Sequence, residues 1–223
     1  MNIPELVKTA DGSDTLFVRE LNEHYHSTFG AVQESKHIFI EAGLHQCEQT
    51  SINLFEIGFG TGLNAYLTAL ECSKTNQSIL YISVEKYPLP VGIWTTLNYS
   101  EMIPEGNSLL FKMIHEAKWN EIAKVTDHFS LLKLSVDLLH VNYPILPLFD
   151  LIYFDAFSPE KQPELWDTSV FTQIASHCEF KAILVTYCAK GVVRRSMIAA
   201  GFTVERIPGP PGKREILRGT FGK

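Results

Sequence analysis

Glu56-Ile57-Gly58-Phe59-Gly60-Thr61-Gly62 joins a run of strand-forming residues to a stretch of helical period. Glycines let the backbone approach a ligand closely, and the helix N-terminus that follows favours electronegative groups. The spacing is GxGxG. The dinucleotide fingerprint GxGxxG would need glycine at 63, where this chain has Leu63. Glu85 closes the next apolar run, 23 residues after Gly62. In a doubly wound sheet a carboxylate there can accept both hydroxyls of a ribose. Asp137 closes a further run, where it could accept from an adenine amino group. Taken singly, Glu85 or Asp137 is as readily a helix N-cap or a solvated strand end. Asp155 ends FDLIYFDAF (149–157), so its carboxyl is expected in the ligand crevice and not in the core. Pro159 and Pro163 then break the chain into a loop, FSPEKQP, above that crevice.

These residues need strands to hold them at one edge. INLFEIG (52–58), ILYISVE (79–85), FSLLKLSVDLL (129–139), FDLIYFDAF and KAILVTYC (181–188) read as strands. Between them, residues 61–73, QPELWDTSVFTQIASH and GVVRRSMIAAG read as helical, PLPVGIWTTLN (88–98) opens a helix, and Leu109–Lys118 reads as the tail of a helical or mixed element. Strands alternating with helices imply an α/β fold, a doubly wound and mostly parallel sheet. FTVERIP, the breaker cluster GPPGK and REILRGTF add an antiparallel C-terminal edge. Residues 1–45 do not fit the alternation. They carry a hairpin signal at Asp11-Gly12 and read as an extension packed on the site, before a main domain over 46–223. Trp166, Phe59, Tyr81 and Trp94 are expected in the core, and His24 and His26 as caps or filling of the extension.

The chain has 223 residues, 45% of them apolar, so a core of ordinary size needs no metal or disulfide. Its four cysteines (47, 72, 178, 188) include no CxxC pair, so neither a disulfide scaffold nor a zinc site is expected. No export signal or apolar run of membrane length is read, and the expected location is cytoplasmic, with no membrane partner. The sequon matches at Asn76 and Asn98 then read as chance. Net charge is −6, but it is divided: residues 181–223 hold nine Lys and Arg against two acids, while residues 1–180 carry −13. Screening makes the local patch matter more than the total, so a polyanion could dock on the C-terminal face through Lys190, Arg194, Arg195, Arg206, Lys213, Arg214 and Arg218. Alternative partners for Arg214 are Glu205, Glu215 or an acid of the site.

Glycine loop, acid and acid at successive strand ends is the arrangement of class I S-adenosylmethionine (SAM) methyltransferases. DAFSPEKQPELWD, YHSTFGAVQESKHIFIEAGL, EIGFGTGLN and GKREILRG together resemble the methyltransferase part of the MnmC family, in its stand-alone MnmD-like form. The resemblance runs from about residue 24 to 219. It implies SAM as cofactor and methylation of the 5-aminomethyl group on the wobble (2-thio)uridine of tRNA. It also implies an anticodon-loop partner, no metal, and an oxidase step left to a separate FAD-dependent protein acting on the same nucleoside. It carries Glu56, Gly58, Gly60, Gly62, Glu85, Lys86, Asp137 and Leu138 to the cofactor and Asp155 to the reacting centre. Gln33, Glu34, His37, Phe157, Pro159, Lys213 and Arg214 are carried to the substrate. The competing readings are a methyl- or aminopropyltransferase for a small-molecule amine and a non-catalytic SAM-binding module. A nicotinamide dehydrogenase is opposed by the glycine spacing.

Overall fold

The computed structural model describes residues 3–75 and 77–222; Asn76, of the first sequon, lies outside them. Three short strands open the chain: β1 (Glu5–Lys8), β2 (Asp14–Val18) and β3 (Glu23–His24), an antiparallel sheet whose first turn passes through Gly12 at φ 85°. A helix α1 (Ala31–Ser35) runs on into a π-helical segment, Lys36–Glu41.

The main sheet follows with β4 (Ser51–Ile57), β5 (Ser78–Val84), β6 (Ile122–Lys124), β7 (Phe129–Leu134), β8 (Phe149–Phe154), β9 (Cys178–Thr186), β10 (Phe202–Pro208) and β11 (Glu215–Phe221). Their spatial order is β10-β11-β9-β8-β4-β5-β7-β6. The central five are parallel, while β6 and the β10–β11 pair run antiparallel at the two edges. Buried parallel strands need both faces covered. One face carries α2 (Leu63–Cys72), the one-turn helices α3 (Val91–Trp94) and α4 (Tyr99–Met102), and α5 (Ser108–Glu116), packed around Tyr66, Tyr81, Phe111 and Tyr153. The other carries α6 (Thr168–Ala175) and α7 (Gly191–Ala199), packed around Phe154, Trp166, Phe171 and Met197. Chain order reverses at β4: β5 lies on one side of it and β8 on the other. Such a switch point leaves a crevice at the strands' carboxyl ends.

Register aligns the ends. Ile57 pairs with both Val84 and Phe154, and Val84 with Leu134. Gly58, Glu85 and Asp155 are therefore each one residue beyond the same row.

Three expected elements come out shorter. PLPVGIWTTLN yields one turn, Val91–Trp94, because the Thr95 and Thr96 hydroxyls bond back to the Val91 and Ile93 carbonyls (2.8 Å each). FSLLKLSVDLL is strand only to Leu134; Asp137 caps a 3₁₀ turn at Leu138–His140 by accepting from the Leu139 N–H. QPELWDTSVFTQIASH divides at Asp167, which caps α6. The edge strand β6 and the π-helical segment carried no clear sequence signal. Trp166, Phe59, Tyr81 and Trp94 are all buried, as expected. The four cysteines are free and buried. Among the described residues no helix is long and apolar enough to cross a membrane.

Candidate active site

A cavity of about 630 Å³ opens at the carboxyl ends of β4, β5, β7 and β8. Glu85, Asp137 and Asp155 all line it, with Gly58, Gly60, Lys86, Leu138, Glu34, Phe157 and Lys213. Of the residues expected at the site, Glu56, Gly62, Gln33, His37, Pro159 and Arg214 are not part of its wall.

Each departure has a local cause. Glu56 is fully buried behind the glycine turn, and its Oε2 accepts from the Ser83 hydroxyl at 2.6 Å. Gly62 is the N-cap of α2 at φ 71°, and a Cβ there would meet the His115 ring at 2.7 Å; its role is close packing. The Gln33 side chain is exposed, and its backbone N–H donates to Asp11. The His37 ring bonds the Pro208 carbonyl at 2.9 Å and lies 3.4 Å from Glu41. Pro159 is half-buried in the loop after Phe157, and Arg214 is exposed on the β10–β11 connection.

The glycine turn is fixed from several elements. The Gly58 and Phe59 N–H groups donate to the Val84 carbonyl (3.0 and 3.3 Å), and Gly60 N–H donates to Glu85 Oε2 (3.0 Å). Thr61 is buried; its hydroxyl meets His26 Nε2 at 2.7 Å and its carbonyl meets His115 Nε2 at 3.1 Å. Burial holds both imidazoles neutral near pH 7, pushing His26 down to about 4 and His115, which also faces the Lys133 charge, down to about 3. The His115 ring stacks on Trp94 at 4.5 Å. His26 thus ties the N-terminal segment to the turn.

At one end of the cavity, Glu85 also accepts from the Tyr87 N–H (2.8 Å). Burial raises its carboxyl above the usual range, opposed by the backbone donors around it. Asp137 faces Lys86 at 2.8 Å. Burial works against its charge, but the Lys86 and Leu139 donors outweigh it and hold the carboxyl low. Two acceptors beside a glycine cradle fit a nucleoside. At Gly58, where a Cβ would lie 2.9 Å from the Asp155 carbonyl, and at Gly60, where it would press on Tyr25, a side chain would crowd that cradle. These residues fit the nucleoside and methionine parts of SAM.

The other end gathers two acids, Asp155 and Glu34, and one ammonium, Lys213. Asp155 Oδ2 accepts from Asn64 Nδ2 at 2.8 Å, and burial pushes its carboxyl up to about 7, with Asn64 and Lys213 opposing and Glu34 reinforcing that shift. Buried Glu34 accepts from the Ser27 N–H (2.7 Å) and pairs with Lys213 (3.2 Å), whose ammonium lies 4.6 Å from the Tyr187 ring centre. Glu23 accepts from both the N–H and the hydroxyl of Ser158, holding the loop after Asp155 against β3. Tyr25 packs edge-on to Phe157 at 5.1 Å.

Tyr25, His26, Phe29, Thr61, Asn64, Gln162 and Tyr187 also line the cavity and were not singled out as site residues from the sequence. Asn64 had a signal, since it follows the glycine turn on the first turn of α2. Tyr187 had one too, lying just past β9. Phe29 and Tyr25 had none that separates them from other aromatics of the N-terminal segment.

Residues 112–221 match a family model described as an S-adenosyl-L-methionine-dependent methyltransferase. The chain is 31% identical over 221 residues to the tRNA 5-methylaminomethyl-2-thiouridine biosynthesis bifunctional protein MnmC of Pseudomonas syringae pv. syringae, covering 91% of this chain and 32% of the relative. It is 29% identical to the protein of the same name from Pseudomonas aeruginosa strain UCBPP-PA14, with 91% and 33% covered. The chain spans about a third of the length of these curated relatives. Among solved structures, MnmC2 from Aquifex aeolicus matches with a TM-score of 0.79 at 26% identity, covering 98% of this chain and 70% of that one. Spermidine synthase from Thermotoga maritima matches at TM-score 0.58 and 10% identity, a likeness of fold alone.

Proposed function

We propose that this chain, a homologue of the methyltransferase part of the MnmC proteins and a SAM-dependent methyltransferase, methylates the 5-aminomethyl nitrogen of the tRNA wobble (2-thio)uridine to give the 5-methylaminomethyl product. The observation that carries this reading is the convergence of Glu85, Asp137 and Asp155 on one cavity beside the glycine turn.

When bound, SAM supplies an electrophilic methyl group. Glu85 and Asp137 hold its nucleoside end, with Lys86 and Leu138 beside them, and Gly58 and Gly60 admit its methionine end. The incoming nitrogen must be neutral. For an amine with a lysine-like pKa near 10.4, neutrality at pH 7 costs about 4.6 kcal/mol, less when an electron-poor ring is attached. A carboxylate beside the amine favours the unproductive ammonium in the ground state. Asp155 offsets this in two ways. Its raised pKa makes it a stronger proton acceptor than an ordinary carboxylate, and its charge stabilises the positive charge that develops on nitrogen. Placement supplies much of the rest, since holding reacting atoms about 3–3.5 Å apart gives large effective molarities.

Bases of a single-stranded loop can be splayed into such a pocket at modest cost, which suits an anticodon loop. Glu34, Phe157 and Lys213 form the substrate wall. A tRNA substrate sets the reaction in the cytoplasm, and a separate FAD-dependent oxidase acting on the same nucleoside is the proposed upstream partner. The test is mass analysis of nucleosides from tRNA of a strain lacking this gene, incubated with the protein and methyl-labelled SAM. Label in methylaminomethyl(thio)uridine supports the reading; label in a free polyamine and none in tRNA overturns it.

A further inference from the structure

Behind Asp155 the structure buries a second acid that the proposed reaction does not use. Glu56 is 0% exposed and Asn64 is 3% exposed. Asn64 gives its amide N–H to Asp155 Oδ2 at 2.8 Å, while Glu56 receives the Ser83 hydroxyl at 2.6 Å. Asn64 and the Tyr81 hydroxyl lie against Glu56. Two acceptors in this buried layer, Glu56 Oε1 and Asn64 Oδ1, have no hydrogen-bond partner, and neither does the Tyr81 hydroxyl beside them. The Tyr81 hydroxyl has one proton to give, so one of the two acceptors is left over at a cost, and a proton on Glu56 turns it into a donor for Asn64.

We propose that Asn64 is the positioning residue of the Asp155 carboxylate, and that a protonated Glu56 donates to Asn64 Oδ1 and so fixes which way its amide points. The inference rests on Asp155 being the reacting carboxylate. With Oδ2 tied to Asn64, Oδ1 is left for the incoming amine. A neutral Glu56 also spares Asp155 a second negative charge. Burial pushes Glu56 up to about 8, with the Asp155 charge adding to the shift and Ser83, Tyr81 and Asn64 opposing it. The charged and titratable groups facing Asp155 are Glu34 on α1, Lys213 between β10 and β11, Glu56 on β4, Tyr81 on β5 and Tyr187 past β9. Those facing Glu56 are Tyr81 on β5, Tyr153 on β8 and Asp155.

The experiment is a carboxyl-carbon NMR titration of Asp155 in the full chain, its signal assigned by loss in Asp155→Asn, alongside methyl transfer to tRNA. Asn64→Leu removes the donor, so the Asp155 midpoint should rise by about one unit. Turnover should fall roughly 10- to 100-fold, with KM for SAM within about threefold of wild type. Glu56→Gln supplies a permanent amide donor to Asn64 and should leave the midpoint and turnover close to wild type. If Asn64→Leu leaves the midpoint in place, or if Glu56→Gln lowers it as loss of a real negative charge would, the proposal is overturned. If Asn64→Leu does not fold, the midpoint in Glu56→Gln still decides Glu56's charge, and the isosteric Asn64→Asp, which brings a carboxyl against Asp155, should raise the midpoint; an unmoved midpoint there overturns Asn64's role. Asp155→Asn with undiminished turnover would sink the reading of the reaction while leaving the titration of the Glu56–Asn64–Asp155 line to stand or fall by itself.

Discussion

Gly60 donates its backbone N–H to Glu85 Oε2 at 3.0 Å, so the turn after β4 and the acid after β5 form one unit. The carboxylate that would hold the ribose also shapes the cradle for the rest of the cofactor. Glu85→Gln keeps the volume but sets an NH₂ group against the N–H of Gly60 or Tyr87. Charge-assisted hydrogen bonds are worth about 1.5–3 kcal/mol, so SAM affinity should fall roughly 10- to 150-fold. Turnover at saturating SAM should fall much less. Calorimetric titration with SAM and single-turnover kinetics separate the two; an unchanged Kd would remove Glu85 from the cofactor site.

Gly58 and Gly60 are not equivalent. At Gly58, φ is 88° and a Cβ would lie 2.9 Å from the Asp155 backbone oxygen, one residue past the parallel pairing of β4 with β8. At Gly60, φ is 49° and a Cβ would meet only the Tyr25 ring, at 3.0 Å. Left-handed backbone costs about 1–2 kcal/mol for an L-residue at either position. Gly58→Ala should add a shift of Asp155 to that cost and lose more turnover than Gly60→Ala, at comparable loss in denaturant midpoint. Equal turnover in the two variants would contradict the assignment of Asp155 to the reacting centre.

The row of Gly58, Glu85 and Asp155 was legible because apolar runs end where parallel strands end, and register does the rest. Asp137 was legible as a strand-end acid, though its strand stops at Leu134 and the acid works as the cap of a turn. What could not be read is what depends on long-range packing. Lys133 sits mid-strand in FSLLKL and would pass for a solvated side chain. It is 1% exposed, and its ammonium donates to the Ile114 and His115 carbonyls at the end of α5, between the Phe59 and Trp119 rings. Glu56 stands inside the glycine motif, yet the alternation of side chains along β4 gave no warning that its carboxyl would be walled off by Tyr81 and Asn64. Glu34 and Lys213 lie far apart in the chain, and nothing local marks them as a pair.

The positive C-terminal balance divides in the same way. Lys190 pairs with Glu160, Arg206 with Glu215, Arg218 with Glu205, and Lys213 with Glu34. Of the seven candidate phosphate contacts, Arg194, Arg195 and Arg214 have no acidic partner among the described residues. Single-stranded contacts contribute about −0.7 each to the slope of log affinity against log salt, so tRNA binding should show a slope near −2, not near −5. Arg194→Ala with Arg195→Ala should bring it to about −0.7. Filter binding from about 50 to about 300 mM salt, over which the Debye length shrinks by more than half, reads the slope. A flat profile would move the docking face elsewhere.

Asp155 should carry a stability cost that its removal reveals. Its carboxyl titrates near 7 in the folded chain against an ordinary value of 3.8. Between those values the native protein holds a proton that the unfolded chain releases, so this group's contribution to stability is fully present below about pH 4 and is lost as pH rises through 7. Asn cannot ionise and is spared that loss. Asp155→Asn should therefore match wild type near pH 4 and exceed it at pH 8, with each kcal/mol of gain raising the melting temperature by about 2–4 °C in a chain of this length. Glu56 is raised in the same direction and partly by the Asp155 charge, so Asn at 155 also relieves Glu56 and adds to the variant's gain at pH 8. Methyl transfer by the variant should fall furthest behind wild type over the same pH range in which its stability advantage grows. Melting curves at pH 4, 6 and 8 check the sign: a difference independent of pH, or a less stable variant at pH 8, would show that the folded chain does not strain the Asp155 charge.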